Sequence, residues 1–426
     1  MKIIHVSTSD LAGGAARAAH RLHDGLRRLG EDSEMLVLRS DGHDPHIHEF
    51  HPPQNPLAQL RRRLRRFRIE RDFSPCVRTR PAGLEAFTDD RTKYGRSVWK
   101  RFPDCDVINL HWTRGFLDLG DFFHHAPAPV VWTLHDMNAF TGGCHYALGC
   151  VKFRVACGAC PQLGSHDVND LSRQIWLRKE GSYRKSDLHL ITPSRWMEQK
   201  VRESSLLKSK PVSTIPYGLD TAVFAPFEKN TARNKFQIPP HASVVLFVAD
   251  FLDNQRKGFS FLVEALNRLR LQDVVLVSMG KDPPNCELRA RHIHLGRLND
   301  DGLLAMAYSA ADLFVIPSME DNLPNTVLEA MACGTPVVGF DAGGIHDMVR
   351  DNLTGRLAPV GDVDALANVM GELLQDGERR REMSKRSRDV ASREYPLELQ
   401  ARRYQELYQR VCRTPQPHGG IQRDPT

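Results

Sequence analysis

Short apolar runs alternate with helical patterns along this chain, in two consecutive sets. The first set of apolar runs lies at Lys2–Ser7, Met35–Leu38, Val107–Leu110, Val130–Leu134 and His189–Thr192. The second set lies at Val244–Ala249, Val274–Met279, Leu313–Ile316 and Val337–Phe340, with helical patterns at Phe259–Arg270, Asp300–Ser309, Asn325–Ala332 and Val363–Gln375. Continuous apolar runs of this length are typical of strands buried on both faces of a parallel sheet. The pattern predicts an α/β chain with two doubly wound, Rossmann-like domains.

A chain of 426 residues is long enough for two domains, each with its own core. We predict a first domain over residues 1–214 and a second over 215–394, with the Pro- and Gly-punctuated segment Ile215–Lys235 as the linker. A helix at 395–412 is expected to pack back on the first domain, and the polar tail 413–426 is expected to be disordered. Open α/β sheets bind ligands at the carboxyl ends of their strands, so a cleft between the two sheets is the expected site.

The stretch Pro317–Pro336 carries the strongest chemical signal. A strand ends there, a loop follows at Met319–Pro324, and a helix begins near Asn325. The first backbone N–H groups and the dipole of such a helix favour a phosphate. Seven residues separate Asp321 from Glu329, so they can hold hydroxyls of a sugar and of a ribose on either side of that phosphate. Spacing alone equally fits a capping aspartate and a solvated glutamate on a surface helix.

The residues PSMEDNLPNTVLEAMACGTPVVGFDAGG resemble the donor-site signature of glycosyltransferase family 4. The resemblance also includes Ile215–Asp220, Gly296–Leu298, Ala310–Phe314 and Asn352–Leu357, and it covers most of residues 190–375. It implies the GT-B fold, in which two Rossmann-like domains face each other across a cleft. It also implies a nucleotide-diphosphate sugar as donor, retention of anomeric configuration and no metal or other cofactor for catalysis.

The resemblance assigns roles to individual residues of the second domain. Glu329 would bind the ribose of the donor, and Asp321 would contact the transferred sugar, although Asp is one methylene shorter than the family's Glu. The diphosphate would lie at the helix start. The donor-binding residues implied there are Gly280, Leu323, Asn325, Thr326 and Val327.

Lys257-Gly258 resembles the family's clamp on the leaving diphosphate. The family places an arginine six residues earlier, where this chain has Phe251, and we expect Arg256 to supply the missing charge. Two cations would neutralise charge that develops on the leaving phosphate. The alternative for Lys257 is a solvated loop lysine.

Two features of the first domain also resemble the family. Gly13-Gly14 follows the first strand and resembles the glycine loop that approaches the diphosphate, although a tight turn also explains the pair. His135 follows the strand Val130–Leu134, and the family's matching His lies beside the reacting sugar; a structural loop histidine is the alternative. We therefore predict His135, Lys257, Asp321 and Glu329 as the catalytic residues.

Four cysteines fall within seventeen residues, at Cys144, Cys150, Cys157 and Cys160. A cluster of this kind predicts a structural zinc site. The first interval is longer than is usual for zinc, so free thiols and disulfides stay open as alternatives.

A basic helix is predicted at Leu57–Phe73, with Leu57, Leu60, Leu64 and Phe67 on one face and arginines around them. This pattern is typical of helices that lie on anionic membranes. A stripe packed on the domain and an RNA-binding patch are the alternatives. The N-terminus does not read as a signal peptide, so we expect a cytoplasmic protein, peripheral on the inner face of the plasma membrane, without a nucleic-acid partner.

The predicted function is retaining transfer of a sugar to a lipid-linked oligosaccharide during surface polysaccharide synthesis. One alternative is a GT-B-like sugar epimerase or phosphorylase. Another is a catalytically inactive glycan-binding module, which Asp321 and Phe251 would favour. The pattern leaves the donor base, the sugar and the linkage open.

Overall fold

The first half of the chain builds one parallel sheet. The computed structural model describes residues 1–42, 44–98, 102–184, 186–283 and 286–413. The strands are β1 (Lys2–Ser9), β2 (Asp32–Arg39), β3 (Ile47–Glu49), β4 (Val107–Leu110), β5 (Val130–Thr133), β6 (Leu188–Thr192) and β7 (Val212–Thr214), in the order β3-β2-β1-β4-β5-β6-β7. The helices are α1 (Gly14–Arg28), α2 (Pro56–Val77), α3 (Leu119–His125), α4 (Leu171–Tyr183) and α5 (Arg195–Glu203).

The second half builds another parallel sheet. Its strands are β8 (Ser243–Val248), β9 (Val274–Met279), β10 (Arg291–His294), β11 (Leu313–Ile316), β12 (Val337–Phe340) and β13 (Gly355–Ala358), in the order β10-β9-β8-β11-β12-β13. The helices are α6 (Lys229–Lys235), α7 (Phe259–Arg268), α8 (Asp301–Ala310), α9 (Asn325–Ala332), α10 (Ile345–Met348), α11 (Val363–Gln375), α12 (Gly377–Glu394) and α13 (Leu397–Arg413). The prediction of two doubly wound α/β domains is confirmed.

The last helix, α13, leaves the second domain and covers a face of the first. Tyr404 and Tyr408 are fully buried in one cluster with Ile3 and Leu22. Tyr408 Oη accepts a hydrogen bond from Asn109 Nδ2 at 2.6 Å, and Tyr404 Oη lies 3.1 Å from the hydroxyl of Thr133. The helix therefore fastens the two domains at the back of the cleft. The tail predicted to be disordered begins at Arg413, which is the last residue of α13; the rest of the tail, 414–426, lies outside the described residues.

The predicted linker Ile215–Lys235 is only partly a connection, because its last seven residues form α6. The carboxylate of Glu228 accepts from the backbone N–H groups of Asn230 and Thr231 and so caps this helix. The buried Arg233 donates to Asp312 and to the carbonyl of Ala310. The Pro and Gly positions of the segment did not predict α6, because contacts with the second domain stabilise this helix and a local pattern does not encode them. Among the described helices, none is long and apolar enough to cross a bilayer.

Candidate functional site

The carboxyl end of β5 meets the loop and helix that follow β11, so the two domains touch at the predicted site. Asn322 Nδ2 donates to the carbonyl oxygens of Leu134 and His135 at 3.0 and 3.1 Å. Asn325 Nδ2 donates to the carbonyl oxygen of Gly14 at 2.8 Å. The stretch Pro317–Pro336 therefore faces both the glycine loop and the His135 segment of the first domain.

Asp321 is buried and lies between two cations. Its Oδ2 accepts from Lys257 Nζ at 2.6 Å and lies 3.4 Å from Arg256 Nη1. Burial alone would raise the pKa of Asp321, but Lys257 and Arg256 outweigh it and hold that pKa below its usual value. Tyr146 Oη donates to Oδ1 from the first domain at 3.5 Å. Asp321 is therefore an ionised, fixed carboxylate at neutral pH.

Arg256 lies beside Lys257, as the sequence predicted, but it is already paired. Its guanidinium donates to Glu85 Oε1 at 2.6 and 2.9 Å and to the carbonyl of Glu320 at 2.6 Å. It also stacks 3.9 Å above the ring of Tyr146. Burial lowers the pKa of Arg256, but Asp321, Tyr146 and Glu85 raise it well above its usual value. Phe251, by contrast, is 54% exposed and contributes no charge.

Local geometry explains why Lys257 reaches Asp321. Asn254 Oδ1 accepts from the backbone N–H of Arg256 and opens a single 3-10 turn, Gln255–Lys257. Gly258 then adopts a φ of 73°, and a Cβ there would collide with the carbonyl oxygen of Pro317. Only glycine permits this approach. The loop after β8 is thereby pressed against the end of β11.

Glu329 lies on α9 and is 4% exposed. Its Oε1 accepts from Arg21 Nη2 at 2.8 Å, and its Oε2 accepts from Tyr308 Oη at 2.9 Å. Burial lowers the pKa of Arg21, but Glu329 and Asp301 raise it above its usual value. Each carboxylate oxygen has one partner, so a ribose at Glu329 would share an oxygen with Arg21 or Tyr308 or replace one of them.

The remaining predicted donor residues surround the start of α9. No side chain caps this helix, Asn325 and Thr326 are half-buried, and Leu323 and Val327 are buried. A Cβ on Gly14 would lie 3.6 Å from Asn325 Nδ2, and one on Gly13 would lie 3.5 Å from Asp250 Oδ2. Gly280 follows β9 and packs against the carbonyl of Ala249 at the end of β8. The uncapped N–H groups of α9 can therefore bind an anion opposite Gly13-Gly14.

His135 belongs to a buried row of side chains. Its Nε2 lies 3.0 Å from His111 Nδ1, and its Nδ1 lies 2.6 Å from Tyr217 Oη. His111 Nε2 lies in turn 2.9 Å from His5 Nδ1. Burial lowers the pKa of His135 to about 4, so the ring is neutral at pH 7. His111 and Tyr217 occupy both ring nitrogens, and the backbone carbonyl of His135 is the group that contacts Asn322.

A small cavity lies beside this row, on the first-domain side of the cleft. Its volume is about 30 Å³, and His111, Trp112, Arg114, Asp136 and His145 contribute to its lining. Asp136 Oδ2 accepts from Trp112 Nε1 at 2.9 Å and lies 2.6 Å from His145 Nδ1. The cavity has room for about one or two water molecules.

The four clustered cysteines follow His135 and are all free. Burial raises the pKa of Cys157 to about 11 and that of Cys144 well above its usual value. Within the described part of the chain, no three of the four sulfurs lie within 4.8 Å of one another. A tetrahedral zinc site would need these side chains to converge, so the structural zinc stays a prediction.

Sequence reasoning missed Arg21, Glu85, Tyr146 and Tyr308. Arg21 meets Glu329 across 308 positions, and Glu85 meets Arg256 across 171. Charge was the available signal for Arg21, which is an arginine among the buried small and apolar residues of α1. Its partner depends on how the two domains meet, which no local pattern encodes.

Sequence models of two families match this chain. The model described as Glycosyltransferase Family 4 matches residues 12–223, and the model described as Glycosyl transferases group 1 matches residues 242–376. Together they span both domains.

Curated relatives match over part of their length. N-acetyl-alpha-D-glucosaminyl L-malate synthase from Bacillus anthracis is 26% identical over 216 residues, which cover 48% of this chain and 55% of the relative. Phosphatidyl-myo-inositol mannosyltransferase from Mycolicibacterium smegmatis is 34% identical over 175 residues, covering 39% and 44%. The lipopolysaccharide core biosynthesis glycosyltransferase LpsE from Rhizobium meliloti is 29% identical over 181 residues, covering 41% and 52%. The matched stretch thus spans about half the length of these relatives.

Solved structures share the fold over nearly the whole chain. Sucrose-phosphate synthase from Thermosynechococcus elongatus superposes with a TM-score of 0.67 at 22% identity, covering 96% of this chain and 99% of that one. Anabaena HepE in complex with UDP-glucose superposes with a TM-score of 0.67 at 18% identity, covering 96% and 100%. At these identities the similarity establishes the two-domain fold alone.

Proposed function

Because this chain belongs to glycosyltransferase family 4 and has the two-domain GT-B fold, we propose that it transfers a sugar from a nucleotide-diphosphate donor with retention of configuration. The observation that carries the proposal is the convergence at the end of β11. Lys257 and Arg256 flank the buried Asp321, next to the uncapped start of α9. Cations, a helix N-terminus and a fixed carboxylate together suit a sugar diphosphate.

We assign each part of the donor to a group in the cleft. The diphosphate lies against the start of α9 and Lys257, which is the more accessible cation because its side chain is 25% exposed and that of Arg256 is 7% exposed. The sugar contacts Asp321, and the ribose takes the place of Arg21 at Glu329. The structure of HepE with UDP-glucose supports a nucleotide sugar as the class of donor.

The proposed transfer needs no nucleophile from the protein. An acceptor hydroxyl oxygen forms the new bond to the anomeric carbon on the face from which the diphosphate leaves. The bond from that carbon to the phosphate oxygen breaks, and the leaving phosphate takes the hydroxyl proton. Lys257 and the α9 dipole stabilise the charge on the leaving group. Asp321, held by Lys257 and Arg256, orients the sugar.

A lipid-linked acceptor is the second part of the proposal, and α2 supports it. Leu57, Leu60, Leu64 and Phe67 are 51–68% exposed, so this stripe does not pack on the domain. A flanking residue holds the helix in place, because Arg65 donates to the carbonyl of Thr92 at 2.7 Å and pairs with Asp118. An exposed apolar stripe among arginines suits an anionic membrane surface. The M. smegmatis relative is named for phosphatidyl-myo-inositol and LpsE for lipopolysaccharide core biosynthesis, and both names agree with this proposal.

A panel of uridine- and guanosine-diphosphate sugars tests the donor. We expect at least one to raise the Tm and to be turned over, with a product whose anomeric configuration, read by NMR, matches that of the donor. Lys257→Ala should lower kcat about 100- to 1000-fold, as expected for loss of one group that stabilises the leaving charge. The matched control is Lys385→Ala, an exposed lysine on α12, which should leave kcat unchanged.

Other outcomes separate the alternatives. Binding to none of the panel would overturn the proposal. Binding without turnover would favour the inactive glycan-binding module. A requirement for inorganic phosphate would favour a phosphorylase, and conversion of the donor sugar without any acceptor would favour an epimerase.

A further inference from the structure

A second cluster of chemically active side chains lies away from the cleft, between α1 and the loop that joins β2 to β3. His23 and Asp24 belong to α1, and Asp44 belongs to the loop. One candidate ligand atom from each of these residues lies within 4.8 Å of the other two. Within the described residues, this is the one group of three or more histidine, cysteine, aspartate or glutamate side chains that meets so closely.

His23 has one ring nitrogen without a partner. The side chain is 0% exposed, and its Nδ1 lies 2.8 Å from the hydroxyl of Ser33. Its Nε2 has no hydrogen-bond partner and lies 3.9 Å from Asp44 Oδ2, too far for a hydrogen bond. If Ser33 accepts from Nδ1, a lone pair on Nε2 faces two carboxylates. If Ser33 donates, an N–H is left unsatisfied, so both tautomers leave a buried polar atom unpaired.

A cation between these atoms removes the conflict. A lone pair on Nε2 and two carboxylates form an N/O donor set, and the two negative charges balance a divalent ion. The hydroxyl of Ser33 would accept from Nδ1 and fix the ring, as the outer partner of a metal-bound histidine does. His20 stands one helical turn before Asp24, with its Nε2 3.6 Å from Asp24 Oδ2, and can supply a further nitrogen.

We propose that His23, Asp24 and Asp44 bind a divalent transition-metal ion of the zinc type. An imidazole ligand favours zinc, cobalt or nickel over magnesium and calcium, which prefer oxygen alone. The side chains must close by about 1 Å to reach zinc-ligand bonds of about 2.0–2.2 Å. This site differs from the four-cysteine cluster in place and in chemistry, because it contains no sulfur.

The ion would fasten the β2–β3 loop to α1. The same loop is held from the other side by Asp10, whose carboxylate accepts from the hydroxyl of Ser40 and from the backbone N–H of Gly42. Asp10 lies three residues before Gly13, at the approach to the cleft. The metal would therefore stabilise the wall behind the glycine loop and would not touch the reacting groups.

The test uses the full chain without a histidine tag, stripped of metal and titrated with ZnCl2 or CoCl2. Asp44→Asn removes a proposed ligand of the metal. We expect it to weaken zinc binding by about 10- to 100-fold or more, since loss of a residue that only hydrogen-bonds a ligand already has an effect of that size. Asp41 is exposed and lies in the same loop, so Asp41→Asn removes the same charge without removing a ligand. This variant should bind zinc as the wild type does. The rise in Tm with zinc should also be smaller in Asp44→Asn than in the wild type and in Asp41→Asn.

The cobalt spectrum distinguishes this site from the cysteines. Nitrogen and oxygen ligands give d–d bands without the intense near-ultraviolet band of a thiolate, and these d–d bands should disappear in Asp44→Asn. Asp24→Asn provides the same test if Asp44→Asn fails to fold. Equal zinc affinity in Asp41→Asn and the two ligand variants would overturn the proposal, as would a cobalt spectrum with thiolate bands alone.

Discussion

At the scale of single residues, the row His5–His111–His135–Tyr217 changes the role expected of His135. A neutral imidazole carries one donor and one acceptor nitrogen, so each ring in the row sets the tautomer of the next. His135 has no ring nitrogen left for a sugar hydroxyl. We infer that it positions the end of β5, so that its carbonyl can accept from Asn322 of the second domain.

Burial of His135 should make the stability of the protein depend on pH. Its pKa falls from 6.5 to about 4 on folding, so between these values the unfolded chain binds more protons than the folded one. This contribution to the free energy of unfolding is complete above pH 6.5 and is lost as the pH falls towards 4, by about 3 kcal/mol. Urea unfolding at several pH values measures it.

The matched variants are His135→Gln and His346→Gln. His135→Gln should reduce the slope of the pH dependence between 6.5 and 4 by the share of His135, while the other buried histidines, such as His5 and His23, still titrate. The ring of His346 is half-exposed, so His346→Gln should keep the wild-type slope. Equal slopes in the wild type and in both variants would contradict the assignment.

At the scale of elements, burial decided which strands were predictable. The bounds of β4, β9, β11 and β12 agree with the apolar runs, because these strands lie inside the sheets and are buried along their whole length. The strands β3, β7, β10 and β13 were missed, and each lies at the edge of its sheet. An edge strand has a partner on one side only and needs no continuous apolar run, so its sequence carries little signal.

Helix α2 shows what a pattern leaves open at this scale. The spacing of its leucines predicted an apolar stripe, but it did not say whether the domain or another surface covers the stripe. The structure excludes the domain, since all four side chains of the stripe are at least 51% exposed. An experiment can distinguish a membrane from an RNA as the partner that covers the stripe.

Leu60→Glu and Leu64→Glu should each weaken binding to vesicles that contain anionic lipid. Burying one leucine contributes about 1.5 kcal/mol or more, so each change should lower the binding constant for the vesicles, measured by co-sedimentation, about tenfold. Leu177→Glu on α4 is the matched control, because Leu177 is 50% exposed but stands outside the stripe. If the wild type fails to sediment with such vesicles at physiological salt, or binds RNA in their place, the membrane proposal is wrong.

At the scale of the whole molecule, each domain neutralises charges of the other. Arg21 of the first domain pairs with Glu329, Glu85 pairs with Arg256, and Arg17 lies 3.1 Å from Asp301. The sequence identified Glu329 from its local family motif and Arg256 from its place beside Lys257, but it did not single out Asp301. It did not identify their partners, because these contacts exist only after the two domains have folded and closed. Ligand entry must therefore exchange contacts between the domains.

The pair Arg21–Glu329 should couple the domains measurably. Both side chains are at most 10% exposed, and breaking a buried pair leaves an uncompensated charge in the interior. Arg21→Met and Glu329→Gln should each lower the free energy of unfolding, and the double variant should lose less than the sum by about 1–3 kcal/mol. Urea unfolding of the four proteins measures this coupling.

The exposed pair Arg28–Asp220 is the matched control, since it also begins on α1 but Arg28 is 50% exposed. The coupling energy between Arg28→Met and Asp220→Asn should stay below about 1 kcal/mol, because water screens this pair.

Donor binding gives an independent test of the buried pair Arg21–Glu329. If ribose replaces Arg21, Glu329→Gln should raise the KM for the nucleotide sugar, whereas Arg21→Met should not, because it removes the competitor. If the coupling between Arg21 and Glu329 is no larger than that of the exposed pair, this contact does not hold the two domains together. If Arg21→Met has a higher KM for the nucleotide sugar, the ribose does not replace Arg21 at Glu329.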